Sequence, residues 1–273
     1  MVATEVTEPR EGNAKEASKR GRMSRARMAS TMPVDAPIYP EPPYYYRNVE
    51  RLTFTYETDE EAALNVLPDF LDLSLPATAS VTFLNVPVCT LGRYQEAYQS
   101  LMAYLDEEPV EYQVYCMLTS DAAVAVGREI WGCPKKQAYI SVERLDEFTV
   151  GILERPRGTR LCSARIRPER LIPRDHAHPT TRPLLSLRII PDPEGKKESL
   201  IELIDHFNPK TNNFKASEEW WDHQFWGTGS VTFDAQTEID PWHRLKVIRM
   251  LQARYSGGPS SFELPYGKIL KTY

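Results

Sequence analysis

Twenty-two prolines are scattered through this chain of 273 residues, and they set the first limit on its fold. Proline lacks the backbone donor and clashes with the preceding helical turn, so a chain punctuated this often has little room for long helices. Between the prolines, apolar residues come in short runs. Leu52-Thr53-Phe54-Thr55-Tyr56 alternates apolar with polar, the period of a half-buried strand. Residues 80–88, 112–118, 149–153, 161–166, 184–190, 199–204 and 229–233 are further β-rich runs, and 247–255 is another candidate. Residues 101–105 fit a helix and a strand equally, since Tyr98, Leu101, Met102 and Leu105 suit one and Tyr98, Met102 and Tyr104 the other. Pro, Gly and Asp separate the runs, as at Pro191-Asp192-Pro193-Glu194-Gly195. Thr58-Asp59-Glu60-Glu61 has the form of a capping box and predicts a short helix that Pro68 stops. The expected fold is α+β, mostly antiparallel β, with a closed sheet or barrel and a few peripheral helices.

Residues 1–36 mix charges with Ser, Ala and Thr and lack large apolar residues beyond scattered Met and Val, which predicts a disordered tail. Its basic cluster (Lys15, Lys19, Arg20, Arg22, Arg25, Arg27) reads as solvated. An organelle-targeting peptide is also basic, but Glu5, Glu8, Glu11 and Glu16 argue against one. The folded domain is expected over 37–273, with no internal repeat or linker. A net charge of −5 gives no basic excess for nucleic acid. Cys89, Cys116, Cys133 and Cys162 are widely spaced without a Cys-x-x-Cys, so they read as reduced thiols of a cytoplasmic protein. No run of about 18 apolar residues predicts a membrane helix, and no secretory signal is visible. Asp175-His176-Ala177-His178 offers two metal-ligand types, but without further ligands a polar loop is the expectation, and no metal is predicted. His223 and His243 are isolated, and Trp220, Trp221 and Trp226 read as packing.

The residues richest in chemistry are Gly127-Arg128-Glu129-Ile130-Trp131-Gly132-Cys133-Pro134-Lys135-Lys136, after the apolar run 122–126, which reads as a strand. A lysine held beside an apolar interior is a chemical option, because burial disfavours its charge and frees the amine as a nucleophile. With Ala125 and Val126 in front, this block closely resembles the signature of the acetoacetate decarboxylase family. The resemblance extends from about Pro43 to Tyr273. Tyr56-Glu57-Thr58-Asp59 is similar to the family's strand-to-helix passage, and Leu91-Gly92-Arg93-Tyr94-Gln95-Glu96 to the segment supplying an active-site glutamate. Arg182-Pro183, Ile189-Ile190-Pro191, Glu202-Leu203-Ile204 and Leu264-Pro265-Tyr266 follow in family order.

The resemblance implies a cone-like closed β-barrel with an internal cavity, a homo-oligomer, and decarboxylation of a small β-keto acid without metal or organic cofactor. It makes Lys135 the Schiff-base lysine, Lys136 its charged neighbour and Glu96 the active-site acid, with Glu129 also near the site. The family's cavity arginine aligns with Val49 here. Arg47 and Arg51 lie two residues to either side and would share its face on a strand, so either is a candidate substitute. Cys133 stands at a position the family fills with an aromatic residue. These departures point away from acetoacetate itself toward a larger β-keto acid, for example a polyketide-type intermediate of secondary metabolism.

The chemistry needs a free amine. An ordinary lysine has a pKa of about 10.4, so at pH 7 fewer than about one in a thousand are neutral. Lowering it by about 3–4 units disfavours the charged form by about 4–5 kcal/mol, within reach of full desolvation. If Lys135 and Lys136 share a strand they face opposite ways. Desolvation is then the expected cause, with Lys136 neutralised by an acid such as Glu129, and with Trp131, Ile130, Met117 and Phe83 as the apolar wall. Two other readings share the residues: aldolase or dehydratase chemistry on a carbonyl substrate, and a small-molecule binding protein without turnover.

Overall fold

The structure is a computed structural model, and it describes residues 19–176 and 182–273. The chain divides between Pro37 and Ile38 into two units. In the first, Arg25–Arg27 form a single 3-10 turn. The predicted disordered tail lies, through residue 18, outside the described residues, as does His178 of the histidine pair.

The second unit is built from short strands, as the prolines require. Its first half holds β1 (Tyr44–Arg47), β2 (Glu50–Glu57), β3 (Asp72–Leu73), β4 (Thr78–Val86), β5 (Val88–Cys89), β6 (Tyr94–Leu105) and β7 (Glu108–Leu118). Next come β8 (Lys135–Gln137), β9 (Tyr139–Leu145), β10 (Phe148–Glu154), β11 (Arg160–Leu171) and β12 (Leu184–Ile190). The last are β13 (Leu200–Phe207), β14 (Lys215–Ala216), β15 (Gln224–Phe233), β16 (Arg249–Ser256), β17 (Ser260–Leu264) and β18 (Lys268–Thr272). The ambiguous residues 101–105 are strand, inside β6. Pro87 splits the predicted run 80–88 between β4 and β5, because proline brings no ladder donor.

The helices are α1 (Glu60–Leu64), α2 (Asp121–Glu129) and α3 (Glu218–Trp221). The cap of α1 is Asp59, one residue later than the capping-box pattern implied, and its Oδ1 accepts from the Ala62 N–H at 3.1 Å. The run 122–126, read as a strand from its apolar character, lies in α2. Ser120 caps that helix, its Oγ accepting from the Ala123 N–H at 3.3 Å, and one apolar face rather than alternation buries Ala123, Val126 and Gly127.

Among the described residues the strands form two sheets. The small one runs β14-β17-β1-β5. The large one runs β18-β13-β12-β7-β6-β4-β2-β16-β15-β11-β10-β9, with β3 on β6 and β8 on β7. Pairing is antiparallel except for β12 and β8, both parallel to β7. The predicted closure is not present as an unbroken ladder, since β18 and β9 end the path. The chain passes from β8 on β7 through Ala138 into β9 on β10, and the Ala138 N–H donates to the Leu118 carbonyl at 3.0 Å.

Alternation along each strand sorts the side chains onto two faces. Leu52, Phe54 and Tyr56 of β2, with Ala79, Val81 and Phe83 of β4, enter the main apolar core. Thr53 stands across from Thr82, Thr82 from Tyr98, Tyr98 from Cys116, and Cys116 from Lys135. This second row belongs to the opposite face, and it puts the lysine at the end of a polar wall.

Candidate active site

Lys135 opens β8 beside Cys116 of β7, and its side chain points to the cavity face. The residue is 7% exposed. Its Nζ lies 3.3 Å from Oε2 of Glu96, which is equally buried and reaches in from β6. The pleat turns Lys136 the other way. Its Nζ donates to the Ile239 carbonyl at 2.6 Å and to Asp240 Oδ1 at 2.8 Å, and Asp240 also pairs with Arg155.

The glycines before the lysines explain how the segment reaches this place. A Cβ on Gly127 would come within 2.2 Å of Lys135 Cδ, so only glycine lets α2 lie against the lysine's stem. The Cys133 N–H donates to the Gly127 carbonyl at 2.8 Å, and Arg128 Nη1 to the Lys135 carbonyl at 3.2 Å. Gly132 adopts φ +71°, and a Cβ there would meet the Arg188 backbone at 2.3 Å. Trp131 is held by Nε1 donating to the Pro265 carbonyl at 3.1 Å, with Tyr44 edge-on.

The cavity measures about 210 Å³. One side is aromatic and aliphatic, with Tyr46, Tyr94, Trp131, Leu184 and Phe262. The other is polar, with Thr53, Thr55, Ser80, Thr82, Gln113 and Glu111, together with Arg51 and Arg254. Lys135, Glu96 and His206 line the same space.

The electrostatics differ from the sequence expectation. Burial is the largest single influence on Lys135 and lowers its pKa, as expected, but Glu96 and then Cys133, Cys116 and Tyr46 act the other way, and the net shift is upward. Burial holds Cys133 up at about 11 and raises Cys116 and Tyr46 as well, so these three are neutral at neutral pH. Glu96 is then the anion that keeps the resting lysine charged. Burial, and next the charge of Lys135, hold His206 down at about 3, so it is a neutral ring whose Nδ1 lies 3.2 Å from Ser186 Oγ.

The structure brings together Lys135, Glu96, Trp131, Cys133, Val49 and Arg51. Arg47 is outside the cavity and exposed, because Asn48 at φ +54° ends β1 before β2 begins, so residues 47, 49 and 51 never share one strand. Glu129 closes α2 away from Lys136 and hydrogen-bonds the Tyr39 hydroxyl; the acid that neutralises Lys136 is Asp240. Met117 pairs with Lys136, on the face of β7 that enters the main core, and Phe83 packs over Gly151. Ile130 is half-buried against the second apolar cluster and does not line the cavity. Among the described residues no cluster of potential metal ligands occurs, and His176 is exposed.

Sequence reasoning missed Arg254, His206, Tyr98 and Asp240. For Arg254 a signal existed: Gln252 and Arg254 alternate with buried Ala253 and Tyr255. His206 and Asp240 carried none, since each is a single residue brought in by a distant strand or loop.

A mostly antiparallel β-sheet whose cavity holds a buried lysine–carboxylate pair defines the class of protein. The chain belongs to the acetoacetate decarboxylase family, whose sequence model matches residues 31–273. Acetoacetate decarboxylase 1 of Bradyrhizobium diazoefficiens is 31% identical over 182 residues, 65% of this chain and 71% of that protein. The decarboxylase DEC1 of Cochliobolus heterostrophus is 24% identical over 250 residues, 87% of this chain and 93% of its own. In two other curated acetoacetate decarboxylases, from Mesorhizobium japonicum and Streptomyces nogalater, the match spans about half their length, 48% and 52%. The crystal structure of acetoacetate decarboxylase from Legionella pneumophila superposes with a TM-score of 0.77 at 22% identity, covering 94% of this chain and 99% of that one. These relatives are named as decarboxylases, which are carbon–carbon lyases. No helix among the described residues is long and apolar enough to cross a membrane.

Proposed function

We propose that this protein decarboxylates a β-keto acid through an iminium on Lys135. The observation that carries this reading is the position of Lys135 Nζ, buried at the wall of a cavity 3.3 Å from Glu96. The resting pair is charged, so the first step is internal. As substrate fills the cavity and displaces water, Lys135 passes a proton to Glu96, and desolvation favours the neutral pair. The free amine attacks the ketone carbon. Glu96 returns that proton to the carbonyl oxygen and relays a second one to it from the attacking nitrogen, so the oxygen leaves as water and a cationic iminium remains on Nζ.

That cation is the electron sink. The bond to the carboxylate breaks, its electron pair moves toward nitrogen as an enamine, and carbon dioxide departs. Glu96 is placed to govern protonation of the enamine carbon. Water then adds to the new iminium, the ketone is released, and the amine is restored. Lys136 does not touch this space; its charge is met by Asp240. The reading includes a sheet closed into a cone through the β8–β9 chain, a homo-oligomer, and a substrate larger than acetoacetate.

Borohydride trapping with a panel of β-keto acids, with carbon dioxide recorded in parallel, tests the proposal. A reduced adduct mapped to Lys135 together with carbon dioxide release is the expected result. An adduct without carbon dioxide would move the assignment to aldol-type chemistry, and no adduct on Lys135 would remove the lysine from the mechanism.

A further inference from the structure

The polar wall of the cavity holds one buried acceptor that no side chain satisfies. Gln113 of β7 lines the space and is 2% exposed. A β-bulge puts it there. Gln99 of β6 stands across from Tyr115 and Ser100 across from Gln113, so Val114 is an extra residue in β7. The bulge shifts the alternation by one position. Val114 and Tyr115 both turn to the main core, and Glu111 and Gln113 return to the cavity. Gln113 precedes Cys116, the residue beside Lys135, by three positions, a run of about 10 Å at ~3.3 Å per residue. It therefore faces the part of a guest that extends beyond the reacting carbon.

Gln113 Oε1 has no hydrogen-bond partner. The hydroxyls around it are engaged with each other and with Glu111. Ser80 donates to Glu111 at 3.1 Å, Ser100 donates to the same oxygen, and Thr82 donates to Thr53 at 3.3 Å. Gln99 makes the contrast. Its Oε1 is also unmatched, but its Nε2 donates to the Tyr56 hydroxyl at 2.8 Å and to the Trp242 carbonyl at 3.3 Å, and it does not line the cavity. An unmatched acceptor that faces an open space marks a place for water or for a guest that carries a donor.

We propose that Gln113 receives a hydroxyl on the substrate chain, so that the substrate class is a 3-oxo acid hydroxylated beyond the ketone. This deepens the Schiff-base reading and rests on it. The ketone lies at Lys135, and the hydroxyl donates to Gln113 Oε1. A hydroxyl fits better than an ammonium, which would bring a second cation into a cavity that already holds the charged Lys135. The hydroxyl is unchanged as carbon dioxide leaves. Its bond is equally strong in the ground and transition states, so it acts mainly through KM and through orientation of the chain.

The test compares 3-oxooctanoate with 5-hydroxy-3-oxooctanoate and 7-hydroxy-3-oxooctanoate, using the full chain and initial rates of carbon dioxide release. The two hydroxyl positions bracket the reach from the ketone to Gln113. The better hydroxy acid should exceed 3-oxooctanoate about 10-fold in kcat/KM, mostly through KM. A hydroxyl buried without a partner would have the opposite effect, because its desolvation disfavours binding. Gln113→Leu should bring the ratio to one or below, and Gln113→Asn, which keeps the amide on a shorter stem, should give an intermediate value. Gln113→Asn also guards against a variant that merely fails to fold. A ratio of one or below for both hydroxy acids in the wild type, or a preference that survives Gln113→Leu, would overturn the receptor. If none of the three acids releases carbon dioxide, the decarboxylase reading fails by itself. Calorimetric titration with the corresponding ketones then decides the receptor. Either 4-hydroxy-2-heptanone or 6-hydroxy-2-heptanone binding more tightly than 2-heptanone, with the advantage lost in Gln113→Leu, keeps it; equal or weaker binding refutes it.

Discussion

Lys135 and Lys136 are adjacent, identical in chemistry and members of one three-residue strand, yet they live in opposite environments. Lys135 is sealed against Glu96, while the side chain of Lys136 is 38% exposed and anchored to Asp240. The pleat alone makes the difference, since successive side chains leave a strand on opposite faces. The pair therefore does not work as two amines pressed together. One lysine can be a nucleophile because the other is out of its cavity. The charge on Lys135 is then a matter between burial, which lowers its pKa, and Glu96, which raises it.

The sharpest way to break this comparison is to remove the inner lysine. Lys135→Met keeps the stem's bulk and removes the amine. Turnover should drop at least about 10⁴-fold, as when a covalent nucleophile is lost, and the borohydride adduct should vanish from peptide 135. Retained turnover would mean that Lys135 is not the reacting group.

A second, smaller effect should come from the helix behind it. Gly127→Ala places a methyl where Lys135 Cδ now lies, 2.2 Å from the new Cβ. The lysine stem is the part free to give way, so the amine shifts relative to Glu96. Displacements of about 1 Å at a reacting group reduce rates on the order of 100-fold. The expected signature is a fall in kcat with a slower but detectable adduct and nearly unchanged thermal stability. An unchanged kcat would show that the contact between α2 and the lysine does not position the amine.

Much of this arrangement was legible in the sequence and some was not, for definite reasons. Alternation in Leu52-Thr53-Phe54-Thr55-Tyr56 marked β2 correctly because one face is core and the other polar. The run 122–126 misled because Ala and Val are apolar in either element, and the Ser120 cap carried the distinction. Opposite orientation of the two lysines followed from the strand period. Asp240 as the partner of Lys136 did not, since it arrives from a loop more than a hundred positions away. The upward shift of Lys135 was missed because burial was weighed without the charge of Glu96 at 3.3 Å.

His206 extends the comparison to the inner lysine's other neighbour. Its folded pKa of about 3 lies below the ordinary value of about 6.5. An unfolded chain would bind a proton as the pH falls below about 6.5, whereas the folded protein resists until about 3. Stability is therefore complete above that window and declines through it, by up to about 1.4 kcal/mol per pH unit. His206→Asn retains a polar group beside Ser186 and removes the titration. Between pH 7 and pH 4.5 the wild type should lose about 2–3 kcal/mol more than the variant in denaturant unfolding. Parallel losses would show that His206 also charges in the folded protein.

The smallest effect should come from the outer lysine, and it completes the contrast. Lys136→Met removes a half-exposed ion pair but leaves Asp240 its contact with Arg155. Such pairs contribute about 0–1 kcal/mol, because water screens the attraction and ordering two side chains opposes it. Unfolding free energy should fall by less than about 1 kcal/mol, and kcat should stay within about tenfold of wild type, ~1.4 kcal/mol in barrier. The adduct on Lys135 should form as before. If Lys136→Met instead suppresses turnover as deeply as Lys135→Met while the protein stays folded, the outer charge reaches the cavity after all. The separation of the two lysines by the pleat would then be a geometric fact without the electrostatic consequence drawn from it.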